Sequence, residues 1–139
     1  MPFLQALVGD FSFVPITVGI GQVEVLEALG DAMARVIGAQ AQRPLIVSSS
    51  DMNHYESDAI TRVKDRKAID RILALDARGL FDVVKRENIS MCGYAPTVAM
   101  LTAAQRLGAK QAQVIKYATS GDISGDRELV VGYAGIAVM

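Results

Sequence analysis

The sequence predicts an α/β layered domain with a central, mostly parallel sheet flanked by helices. Three observations carry that expectation. Strand-like and helical segments alternate along the chain. The run PLIVSSS at residues 44–50 is continuously apolar before its serines, as a strand buried on both faces would be. The last segment, LVVGYAGIAV at residues 129–138, is apolar at alternate and intervening positions alike, which suits a central strand.

The elements follow in order. The chain opens on MPFLQAL and reaches a β-rich segment at residues 11–20, FSFVPITVGI, where Pro15 marks a strand start, an edge or a bulge. Residues 23–37 place Val25, Leu26, Leu29, Met33, Val36 and Ile37 along one helical stripe, with Gly38 where a helix would stop. With the strand at 44–50 these make a β-α-β arrangement, whose carboxyl-end loop is where open α/β sheets place their chemistry. Helices are predicted at 58–75 and 77–86, the second with Leu80, Phe81, Val83 and Val84 on its apolar side. A further helix begins near Pro96, a residue tolerated in a first turn, and carries Val98, Leu101 and Leu107 towards a stop at Gly108. Two strands close the chain, at 112–117 and 129–138, around the Gly- and Asp-rich loop TSGDISGDRE.

Composition narrows the function classes. The chain has 139 residues, 51% of them hydrophobic and 21% charged, which suits one globular domain over residues 1–139. Its 14 basic and 15 acidic residues leave no electrostatic footprint for nucleic acid or an anionic membrane. Apolar runs stop well short of the roughly 20 residues of a membrane span. The most basic stretch, RVKDRKAIDR at 62–71, is interrupted by Asp65 and Asp70 and is predicted to be a solvated helix face with pairs of opposite sign. A single cysteine rules out an internal disulfide and suits a reducing compartment, so cytoplasm is expected.

Two places could carry chemistry. Asp51-Met52-Asn53-His54 follows the 44–50 strand and holds the one histidine. A carboxylate three residues earlier can orient an imidazole through one ring nitrogen while the other faces a ligand or metal. The plainer alternatives are a surface histidine and an aspartate that caps a turn. Met91-Cys92-Gly93-Tyr94-Ala95-Pro96 precedes a helix, and a thiol beside a helix amino terminus is favoured as the thiolate needed for attack or metal ligation. The plainer alternative is a small buried hydrophobe. One histidine and one cysteine do not complete a zinc site of three protein ligands, and a Cys–His nucleophilic pair is the remaining option. The 120–127 loop has neither phosphate-loop spacing nor the ligand series of a calcium loop, so no nucleotide cofactor is expected.

The stretches VSSSDMNHYES, ISMCGYAPTVAMLTAAQRLGA and QVIKYATSGDISGDRELVVGYAGIAV, in that order, resemble the Memo family, the middle component of the AmmeMemoRadiSam set. The likeness runs over essentially the whole chain and corresponds to roughly the carboxy-terminal half of longer relatives. It implies a fold similar to half of a class III extradiol dioxygenase, a non-haem iron enzyme. It also implies a pocket metal, iron or else copper or zinc, with Cys92 and His54 as ligands. The catalytic residues would be His54, at the dioxygenases' acid/base position, and Asp51. The two amino-terminal histidines of the family's pocket have no counterpart here. The resemblance supports a metal-dependent redox role with an incomplete site, or a non-catalytic adaptor acting with radical SAM proteins. A small molecule or peptide would occupy the pocket. Sheet edges without neighbours predict self-association or a complementing chain.

Overall fold

The computed structural model describes residues 2–19 and 21–139. A short helix α1 (Pro2–Val8) buries none of its side chains. Helix α2 (Val23–Gly38) packs on α5 (Tyr94–Arg106). Its buried face is Val23, Leu26, Gly30, Ala34 and Ile37, which keeps Leu26 and Ile37 of the predicted stripe but leaves Val25 and Val36 exposed. The reason lies at Gly30. A Cβ there would sit 2.5 Å from the Ala99 carbonyl oxygen, so only the side of the helix bearing the smallest residues fits so closely.

Helix α3 (Asp58–Leu73) ends two residues earlier than predicted, and α4 (Ala77–Arg86) has the predicted bounds. Asp76 caps α4 by accepting the Gly79 N–H at 2.8 Å, which satisfies one otherwise unpaired amide of the first turn. Helix α5 starts at Tyr94, so Pro96 lies in its first turn, and the chain leaves through Gly108 at φ +102°. Leu80, Val98 and Leu101 are fully buried where α4 and α5 meet, and they join Leu26, Ile69 and Ile72 in one apolar core.

The expected mostly parallel sheet is not what forms. The strands are β1 (His54–Glu56), β2 (Ala112–Thr119) and β3 (Val130–Val138), in the order β1-β3-β2, and both pairings are antiparallel. Between β2 and β3 the predicted loop holds the four-residue helix α6 (Gly121–Ser124), and so short a connection joins antiparallel neighbours. The two segments that would have supplied parallel strands, 11–20 and 44–50, form no ladder among the described residues, and Ile20 lies outside them. A strand exists only through a hydrogen-bonded neighbour, and no described residue offers one to either segment. Phe13, Val14, Leu45 and Val47 are accordingly exposed. No helix among the described residues is long and apolar enough to cross a membrane.

The predicted solvated face of α3 is half right. Arg66 and Asp70 pair in solvent at 2.8 Å, but Asp65 is completely buried on the same side as Ala68, Ile69 and Ile72.

Gly30 gives a test with an informative sign. Gly→Ala inside a helix ordinarily stabilises by about 1 kcal/mol. Here the Cβ meets Ala99 and Thr102, so Gly30→Ala is expected to lower stability by about 1–3 kcal/mol in urea denaturation.

Candidate metal centre

The site is assembled where residues 48–54 cross the turn that leads into α5. Gly93 is the residue before that helix, and its N–H donates to the Ser50 hydroxyl at 2.8 Å. A Cβ on Gly93 would lie 2.5 Å from the Ser49 carbonyl oxygen, so the turn can approach this closely only with glycine there. Ser48 and Thr97 hydroxyls meet at 2.8 Å, and Thr97 donates to the Gly93 carbonyl at 2.7 Å. The Asp51 N–H donates to the Cys92 sulfur at 3.2 Å.

These bonds bring Asp51, His54 and Cys92 together, with one donor atom from each within 4.8 Å of the others. Cys92 is exposed, contrary to the buried-hydrophobe alternative. The Asp51 Oδ2 is 3.7 Å from His54 Nε2, too far for a hydrogen bond. That nitrogen is buried and has no hydrogen-bond partner among the described residues. Buried polar atoms are nearly always paired, so an orphaned imidazole nitrogen facing a carboxylate and a thiol fits a missing ligand better than a capping role.

Behind the histidine stands a network that the sequence did not single out. Asn53 is fully buried and each of its polar atoms is engaged. Its N–H donates to Asp65 Oδ1 at 2.8 Å and its carbonyl accepts from the Gly132 N–H at 2.9 Å. Its side-chain oxygen accepts from the Ser90 N–H at 3.1 Å, and its amide nitrogen donates to Glu56 Oε2 at 2.7 Å. The His54 N–H donates to the Ser90 hydroxyl at 2.7 Å. Tyr117 donates its hydroxyl proton to Asp65 Oδ2 at 2.7 Å. Asp65 could have been found from helical spacing, because it continues the stripe of Ala68, Ile69 and Ile72 one turn back. Nothing in the local pattern announces Ser90.

Burial pushes the Asp65 carboxyl above its ordinary value, partly opposed by the Tyr117 and Asn53 hydrogen bonds. Burial and the Asp65 carboxylate push Tyr117 up in turn. A different balance rules the 120–127 loop. Arg62 donates to Asp58 at 2.9 Å and to Asp122 at 2.7 Å, and Arg127 reaches Asp58 at 2.6 Å. Arg62 and the Thr119 hydroxyl hold Asp58 well below the usual carboxylate range, and the Thr119 N–H and Arg62 lower Asp122. This loop is thus an ion-paired structural corner.

Comparison with known proteins gives the lineage. The family model described as "Memo-like protein" matches residues 1–137. The chain belongs to the Memo family. A "MEMO1 family protein" of Methanosarcina acetivorans is 43% identical over 139 residues, covering 99% of this chain and 52% of that protein. That of Methanopyrus kandleri is 42% identical over 137 residues, covering 98% and 48%. That of Saccharolobus solfataricus is 44% identical over 135 residues, covering 96% and 47%. The chain therefore spans about half the length of the Memo relatives it matches.

Asp65 gives a pH test. A carboxyl whose folded pKa is raised contributes most below its unfolded value of 3.8, and that contribution is lost as pH rises through the folded pKa. The stability of the unsubstituted chain minus that of Asp65→Asn should therefore fall as pH rises from about 4 through the raised folded pKa, measured by urea denaturation at each pH. Asp58 and Asp122, with lowered values, act in the opposite sense and make the fold acid-labile.

Proposed function

We propose that Asp51, His54 and Cys92 bind a transition-metal ion, and that the chain serves a metal-dependent redox or accessory role within the Memo family. The observation that carries this reading is His54 Nε2, buried and unpartnered beside a carboxylate and a thiol. Sulfur, imidazole and carboxylate donors together suit iron, copper or zinc, and three protein ligands leave a coordination position open. A redox-active ion held there supplies electron transfer, and any of the three supplies Lewis acidity.

The chain's own residues do the positioning. Ser90 fixes the His54 backbone, and Asn53, the residue before it, is locked by Asp65 and Ser90, so the imidazole is presented from a rigid base. Asp51 stands on the same side as Nε2, where it can act as a third ligand or hold a proton for a reacting group. Cys92 is reachable from solvent, which gives a ligand or substrate a route in.

The experiment is metal content by mass spectrometry on the reduced chain, beside Cys92→Ala and His54→Ala. Close to one iron, copper or zinc per chain is expected, falling by about tenfold or more in either variant. Absence of metal after incubation with each ion would overturn the reading. In the cobalt(II)-loaded chain the sulfur-to-metal charge-transfer absorption should vanish with Cys92→Ala and persist with Tyr94→Phe.

A further inference from the structure

Strand β3 has one satisfied edge and one free one. At its end the Met139 and Gln111 backbones exchange hydrogen bonds of 2.8 and 3.0 Å, so Met139 faces β2. At its start Val131 accepts from the Ser120 N–H, on the β2 side, while Gly132 bonds Met52 and Asn53 on the other side. Successive residues of a strand point their backbone groups to opposite edges. Ala134, Ile136 and Val138 therefore aim their N–H and C=O groups away from β2. No hydrogen bond among the described residues engages them there.

What lies on that side is residues 44–50, also without a ladder, across a cavity of about 680 Å³. Leu45, Ile46, Met52, Met100, Ile136 and Val138 are among the residues that line it. The two walls meet at the 52–53/132 pairing and diverge from it. The gap is held open by the three bonds that tie 48–51 to the α5 turn, namely Ser48 with Thr97, Gly93 with Ser50, and Asp51 with Cys92.

We infer that this gap is a slot for one β-strand of a polypeptide corresponding to the half of Memo relatives that this chain does not match. Three arguments select that occupant. Backbone donors and acceptors repeating every second residue along one wall, with apolar side chains between, are complemented by a strand and not by a compact small molecule. The chain's own segment 11–19, which forms no ladder, is a poor occupant here or from a second copy, because Pro15 cannot donate and an inserted strand must pair on both edges. The matched relatives are about twice as long as the stretch they share with this chain. Ser50, Met52 and Met91 line the slot and are chain neighbours of Asp51 and Cys92, so the strand would run up to the triad.

The test is amide hydrogen exchange by NMR on the chain alone, on the chain mixed with the unmatched half of the Methanosarcina acetivorans relative, and on the two fused in that relative's order. Protection is expected to rise at Ala134, Ile136 and Val138 in the mixture and the fusion, with Tyr133, Gly135 and Ala137 little changed. Leu45→Lys alters a side chain that is 79% exposed, so the isolated chain should keep its stability while affinity for the half falls by about tenfold or more. Unprotected amides at those three positions in the fusion would overturn the slot. So would protection that appears in the chain alone as its concentration rises, which would make a second copy the occupant. Protection in the chain alone at every concentration would mean that 44–50 closes onto β3. Metal content of the same samples is read separately, since the slot stands or falls without the metal.

Discussion

Asn53 has no contact with solvent, and its two backbone and two side-chain polar atoms bind five residues of the protein. Those partners lie in the adjoining β1 and α3 and, far off in sequence, on β3 and in the turn at Ser90, so one residue ties four parts of the fold together. In a low-dielectric interior such a residue is stabilising only if all its bonds are made, and a single lost partner leaves a desolvated polar atom. The position of the triad depends on this constraint, because His54 follows Asn53 directly and shares Ser90 with it.

Asp65 extends the same logic one layer further in. A Cβ on Gly132 would collide with the Asp65 carboxylate, so the strand can pass over that buried acid only with glycine at this point. Tyr117 closes the group from β2. The polar cluster thus fastens α3 to both long strands, while Leu80, Val98 and Leu101 fasten the helices to each other. The apolar half of the core gives cohesion and the polar half gives register.

Different parts of this arrangement were legible in the sequence to different degrees. Helix α4 is legible to the residue from its apolar side of Leu80, Phe81, Val83 and Val84, and the structure adds the Asp76 cap. Cys92 and His54 stood out as residue types, and the structure brings them together with Asp51. The strand direction was not legible. The run at 44–50 has the composition of a buried parallel strand, but a ladder is a property of two segments, and no described residue supplies the second. Asp65 is charged, which predicts exposure, but its helical phase puts it on the buried side of α3. Met33 and Leu29 on α2 were read as core, and are only half-covered, because close approach at Gly30 turned that side away from α5.

The exposure of Cys92 has a chemical corollary. A sulfur at the surface, outside the packed interior, is where peroxide or dissolved oxygen would act first on this molecule. Conversion to the sulfenic acid is reversible by thiols, but the sulfinic and sulfonic acids trade a soft donor for hard oxygens and add negative charge beside Asp51. Loss of the thiol would remove the sulfur that accepts the Asp51 N–H, while the Ser50–Gly93 and Ser48–Thr97 bonds remain to hold the turn. For the proposed metal site, a folded sample and one able to bind the ion would thus differ by the oxidation state of one atom.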